Sequence, residues 1–194
     1  PIGQIDFAGQ LNANTLDIQY ASATMSTQPG GISGPVNFTN TGNRIGTVTA
    51  SVNSGTIQGP VTILDSSGGL TLDAQFNNVR GDIEIATNGD LTLAPGALLS
   101  TSGAATGNIF LASSGGSFTN NAGLNAVLPS NIDANVAARF LIYSDSPANT
   151  TPGGLAGAPV YDKTYAANGP GTISQTGNRF LYGLAPTLTL RANN

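Results

Sequence analysis

The chain contains no cysteine and no histidine. The first absence excludes disulfides and thiolate metal sites, and the second removes the commonest metal ligand and the usual general base at neutral pH. Charge is also scarce. Asp, Glu, Lys and Arg make up 8% of the 194 residues, against about 25% in an ordinary soluble domain. Six basic and ten acidic residues leave a net charge of −4. Arg44, Arg80, Arg139, Lys163, Arg179 and Arg191 stand singly, so no basic stripe is offered to a phosphate backbone and nucleic acid is not an expected partner. No apolar run reaches the roughly 18 residues of a membrane-spanning helix, so no membrane insertion is expected. Pro1-Ile2-Gly3-Gln4 is not the basic start of a signal peptide, and the sequence reads as a piece cut or processed from something longer.

What is present is turn-forming and apolar in alternation. There are 26 Gly and 20 Asn, yet 39% of residues are hydrophobic, which argues for a packed core under a Ser/Thr/Asn/Gly surface rather than for disorder. The segments 34–48, 59–75, 81–96 and 107–120 match in shape. Each carries an apolar-x-apolar triplet, a run of turn-formers and a second apolar pair. Their first anchors, Val36, Val61, Ile83 and Ile109, recur after 25, 22 and 26 residues. A third apolar patch follows in each period: Val52 and Ile57, Phe76 and Val79, Leu98 and Leu99, then Leu124, Val127 and Leu128. Three short strands and three corners per period, with no helical spacing, are the mark of a β-solenoid. Ile5-Asp6-Phe7 and Leu16-Asp17-Ile18 read as an earlier, less regular rung.

The expected fold is all-β: a right-handed, three-sided parallel β-helix over 1–135, with 136–194 as a terminal rung and long loop that caps the stack or joins it to a following module. Val61, Ile83 and Ile109 should form one interior column, and Leu70 and Leu91 another. At the corners, Gly and Asn should supply positive φ, and short polar side chains should bond to the backbone of their own or the next rung.

The best constellation for catalysis is Asp82 with Glu84. At i and i+2 on one strand their carboxyls lie about 6–7 Å apart, inside the range of glycoside hydrolysis. Ordinary solvated surface explains the pair equally well, and no adjacent cation tunes it. No aspartate-rich loop of the calcium-binding kind is present. No catalytic, cofactor-binding or metal-binding residue is therefore assigned. Outward Thr71 and Thr92 could begin a flat threonine array, but only these two line up in the sequence and the uneven periods would spoil its regularity.

Arg139–Pro147 (RFLIYSDSP), the Gly153-Gly154-Leu155 loop, Tyr161 with Tyr165, and Gly177–Leu190 (GNRFLYGLAPTLTL) form a set. Over 138–190 the chain resembles β-helical bacterial exoproteins of the filamentous-haemagglutinin type, in the segment that precedes C-terminal repeat modules. The resemblance implies two-partner secretion, an extracellular or cell-surface setting, and a structural or adhesive role as shaft, biofilm-matrix component or filament former. Implied partners are further copies of the chain, joined head to tail with Thr187, Leu188, Thr189 and Leu190 as an inter-subunit strand, or a polysaccharide or surface glycan. The chain lacks the N-terminal secretion domain of that family, so it should not secrete itself. Half of the twelve aromatics fall in 138–190. They read as an end cap, or alternatively as a carbohydrate platform with Tyr161 and Tyr165 stacking on sugar faces. A β-helical polysaccharide-degrading enzyme using Asp82 and Glu84 is the remaining alternative.

Overall fold

The computed structural model describes residues 5–6, 12–21, 31–32, 34–40, 42–53, 56–66, 68–103, 106–130 and 137–186. The chain is nearly all β and winds as a parallel β-solenoid of about five turns. Turn one comprises β1 (Ile5–Asp6), β2 (Asn12–Ala21) and β3 (Gly31–Ile32), and turn two β4 (Val36–Phe38), β5 (Arg44–Asn53) and β6 (Thr56–Ile57). In turn three, β7 (Val61–Asp65) is followed by β8 (Gly69–Val79), which bends across two faces. Turn four holds β9 (Ile83–Thr87), β10 (Asp90–Leu93) and β11 (Leu98–Thr101), and turn five β12 (Ile109–Ser113), β13 (Phe118–Asn120) and β14 (Val127–Leu128). Above them lie β15 (Phe140–Ser144), β16 (Thr150–Thr151), β17 (Ala158–Tyr161) and β18 (Arg179–Tyr182).

Like strands stack on like. The first face runs β1-β4-β7-β9-β12-β15-β18-β17, and the second and third faces join through β8 into one ten-stranded sheet. Val36, Val61, Ile83, Ile109 and Phe140 share one register position on the first face, and all are buried. Phe38, Ile63, Ile85, Leu111, Ile142 and Phe180 form the next column. On the second face Leu70, Leu91 and Phe118 align, and on the third Phe76, Leu99 and Val127. The backbone pairing Ile5↔Val36 and Leu16↔Val48 places the irregular first rung in the same stack. Each strand is too short to offset the entropy of ordering its own backbone; the columns supply that through continuous burial.

The corners absorb the uneven periods. Between the first and second faces they hold three residues (66–68), two (88–89), four (114–117) and five (145–149). Strand register is kept from β7 through β12 on the first face and from β8 through β13 on the second, while on the third it shifts between Leu99 and Thr101. Consequently the outward threonines, expected to number two, form a rank of five: Thr47, Thr71, Thr92, Thr119 and Thr151 pair successively. Cross-strand Thr–Thr pairs stabilise a sheet modestly. Corner chemistry follows expectation in part. Gly115 has φ +72°, whereas Gly81 serves close approach: a Cβ there would lie 2.6 Å from the backbone N of Pro60. Polar side chains do bond across rungs. Thr87 donates to Asp65 Oδ2 (2.7 Å), Asp65 Oδ1 accepts from the Ile45 N–H (2.7 Å), and Ser113 donates to the Tyr143 carbonyl (3.1 Å).

In the third apolar patch of turn five, Val127 is buried while Leu124 and Leu128 are 65% and 43% exposed; among the described residues no third-face strand stacks on β14. The long loop, residues 162–178, runs back along the outside of the first face, as its contact with Glu84 of turn four shows. The expected thinning at 131–135 and the strand Thr187–Leu190 lie outside the described residues.

Candidate functional site

The outer surface of the first face is polar in early turns and apolar in later ones. β7 shows alternating burial, whereas every residue of β15 is buried. The reason is the 162–178 strap. Ile173 of the strap packs with Ala86, Ala112, Leu141, Tyr143 and Leu181, while Leu64, Phe110, Val160 and Tyr165 pack at the margin. This second apolar cluster sits on the opposite side of the sheet from the interior columns. Arg139 ties the strap down: its Nη2 donates to the Ile173 carbonyl (2.8 Å) and its Nη1 to the Gln175 carbonyl. The Tyr143 hydroxyl donates to the Asn168 carbonyl (2.8 Å).

Asp82 and Glu84 have separate employments. Asp82 Oδ1 accepts the backbone N–H of Asn108 one turn on (2.8 Å), and the Asn108 side-chain carbonyl in turn accepts the Arg139 N–H (3.2 Å). Asp82 thus begins a corner ladder. Glu84 Oε1 accepts the Tyr165 hydroxyl at 2.6 Å, which pins the strap to turn four. Among the described residues no group of three His, Cys, Asp or Glu side chains could hold a metal ion.

The two tyrosines singled out for glycan contact are not brought together. Tyr161 pairs with Tyr182 across β17 and β18, their rings stacked at 5.7 Å and 28°, against the end of the interior core. Tyr161 therefore belongs to the closure of the bore. Tyr165 stands on the flank, its ring edge-to-face with Tyr143 at 5.5 Å and 80°. Burial pushes the phenols of both Tyr143 and Tyr165 above their ordinary range; for Tyr165 the hydrogen bond to Glu84 adds to the effect. Tyr165 stays a protonated donor. Its ring separates two hollows. One, of about 290 Å³, lies toward Ser113–Gly115, Asp145 and Thr164, and the other, of about 150 Å³, toward Asp65, Ser66 and Asn88.

The end of the first face is blunted. Among the described residues β17 is its outermost strand. The Ala158 N–H bonds to Asn178 of the inner side, so alternation directs Pro159, which has no N–H, to the open side. A proline there withholds a donor from any strand added by another chain.

Sequence reading missed the second cluster, although a signal existed. Phe140-Leu141-Ile142-Tyr143 and Phe180-Leu181-Tyr182 are continuous apolar runs, and a strand buried on both faces reads so. Ala86 and Ala112 likewise occupy outward positions where Thr62 and Glu84 would suggest polar residues. These features define the class of protein, a parallel β-solenoid with one flank covered by a strap. The chain matches no protein-family model, no curated protein and no solved structure.

Proposed function

We propose that this chain is a structural and adhesive β-solenoid of a bacterial exoprotein of the filamentous-haemagglutinin type, working outside the cell as a shaft that presents its flanks to surfaces, without catalysis. One observation carries the reading. Inward side chains stack from turn to turn, and corner polar groups such as Asp65, Asp82 and Ser113 bond to the neighbouring rung. A molecule so built extends and persists. It presents low-charge outer faces rich in Thr, Ser and Asn, which suit broad contact rather than a poised acid–base pair. The carboxylates best placed for glycoside cleavage are engaged elsewhere, Asp82 by the next rung and Glu84 by Tyr165. Head-to-tail association into fibres belongs to the same proposal, and Pro159 directs strand addition away from β17.

The test is a paired assay on the purified chain. Adherence of protein-coated beads to bacterial biofilm and epithelial surfaces is measured alongside release of reducing ends or unsaturated products from a polysaccharide panel. The proposal expects adherence above an uncoated control and no product. Product release that Glu84→Gln abolishes would replace it with the enzyme reading.

A further inference from the structure

We infer that the two hollows flanking Tyr165 are one binding groove for an uncharged oligosaccharide, an inference that rests on the adhesive reading above and supplies its ligand class. The groove follows the corner between the first and second faces. Ser114 and Tyr165 border both hollows, so the two are neighbours on either side of the Tyr165 ring. Turn by turn, the corner presents Ser66, Asn88 and Ser114 immediately after the aligned residues Asp65, Thr87 and Ser113, and Asp145 two residues after Tyr143, the partner of Ala112. Three rung steps of about 4.8 Å give a polar rank about 14 Å long, the scale of a short oligosaccharide rather than one sugar.

The lining is amphipathic in the way a sugar is. Leu64, Ala86 and the rings of Tyr143 and Tyr165 provide apolar wall, and hydroxyl, amide and carboxylate groups provide the rim. Such a division, apolar surface with a few fixed polar groups, is what a small-ligand site needs. Charge narrows the class. Among the described residues the only ionisable groups lining the hollows, apart from the tyrosines, are Asp65 and Asp145, with Glu84 at the Tyr165 hydroxyl, and no Lys or Arg lines either hollow. Uronic or sulfated sugars would meet like charge, so neutral ones are favoured.

Preorganisation supports the assignment. The Tyr165 ring is clamped by Tyr143 on one side and by Glu84 at its hydroxyl, so little side-chain freedom remains to be lost on binding. Because that hydroxyl is already committed, recognition falls to the ring and to the corner side chains.

The experiment is isothermal titration of the whole chain with cellohexaose, maltohexaose, laminarihexaose and chitohexaose, and with oligogalacturonate and oligoalginate as anionic controls. The same preparations are measured for bead adherence. Saturable binding of at least one neutral hexamer is expected. Tyr165→Ala should weaken it about tenfold or more, and Tyr165→Phe, which keeps the ring, by about threefold or less. Ser114→Trp, which fills the groove from the solenoid side, should abolish binding while the circular dichroism spectrum is kept. Binding of none of the neutral hexamers, binding of the anionic ones alone, or binding unchanged in folded Ser114→Trp overturns the inference. Adherence retained in such a case leaves the adhesive reading standing; loss of both removes the two together.

Discussion

The molecule holds two apolar cores on opposite sides of one sheet, and they differ in how they are made. The interior core is repeated. Val61, Ile83 and Ile109 are copies of one position, each held by the rung above and the rung below. The flank core is assembled once, from the outward sides of β9, β12, β15 and β18 and from Ile173, with Tyr165 at the margin, both brought back by a loop. A repeated core has no single closing contact, so damage at one rung is felt by its neighbours. A core closed by one strap should open locally while the stack beneath persists.

Substitutions should separate the two. Ile83→Ala removes the middle of an interior column and should cost about 2–5 kcal/mol, lowering the urea midpoint of the whole chain. Gly81→Ala forces a Cβ toward the Pro60 backbone and should cost about 1–3 kcal/mol by overpacking, again through the global midpoint. Ile173→Ala should cost about 1 kcal/mol or less globally, because the strap can relax. Its signature is faster proteolysis within 162–178 at an unchanged solenoid midpoint. A common loss of the whole chain's midpoint in Ile173→Ala would merge the two cores into one cooperative unit.

The smallest effect is electrostatic. Tyr143 and Tyr165 have raised phenol pKa values in the fold, by burial first and by Glu84 in addition. The folded form therefore keeps its protons when the unfolded chain begins to lose them. Their contribution is fully present below about pH 10, the unfolded value, and is lost as pH rises through the higher folded values. Urea midpoints should be flat to about pH 9 and fall beyond about pH 10. Glu84→Gln removes a charge that raises both phenols, so its decline should be shallower, with little change near neutrality.

The difference between the cores also explains what could be read from the sequence. Val-x-Ile, Ile-x-Ile and Leu-x-Leu spell the interior because the strand period is two and the stack repeats it; the registers of Val61, Ile83 and Ile109 and of Leu70 and Leu91 follow. The threonine rank was underestimated because spacing counted along the chain mixes strand with corner, and only the strand sets register. The Glu84–Tyr165 bond joins residues 81 apart in the chain, and no periodicity reports a contact made once. Tyr161 and Tyr165 looked alike as neighbouring tyrosines. They part because β17 turns the first inward against the core end, while the strap carries the second outside.

Register is the claim from which both cores follow, and the absence of native cysteine allows it to be measured cleanly. Thr71→Cys with Thr92→Cys places thiols on adjacent rungs, about 4.8 Å apart at Cα, within disulfide reach. Thr71→Cys with Thr119→Cys places them two rungs apart, beyond the roughly 7 Å limit. Under mild oxidation, mass spectrometry of the monomer should find the first pair bridged and the second pair as free thiols. A bridged Thr71/Thr119 pair with an unbridged Thr71/Thr92 pair would contradict the stack.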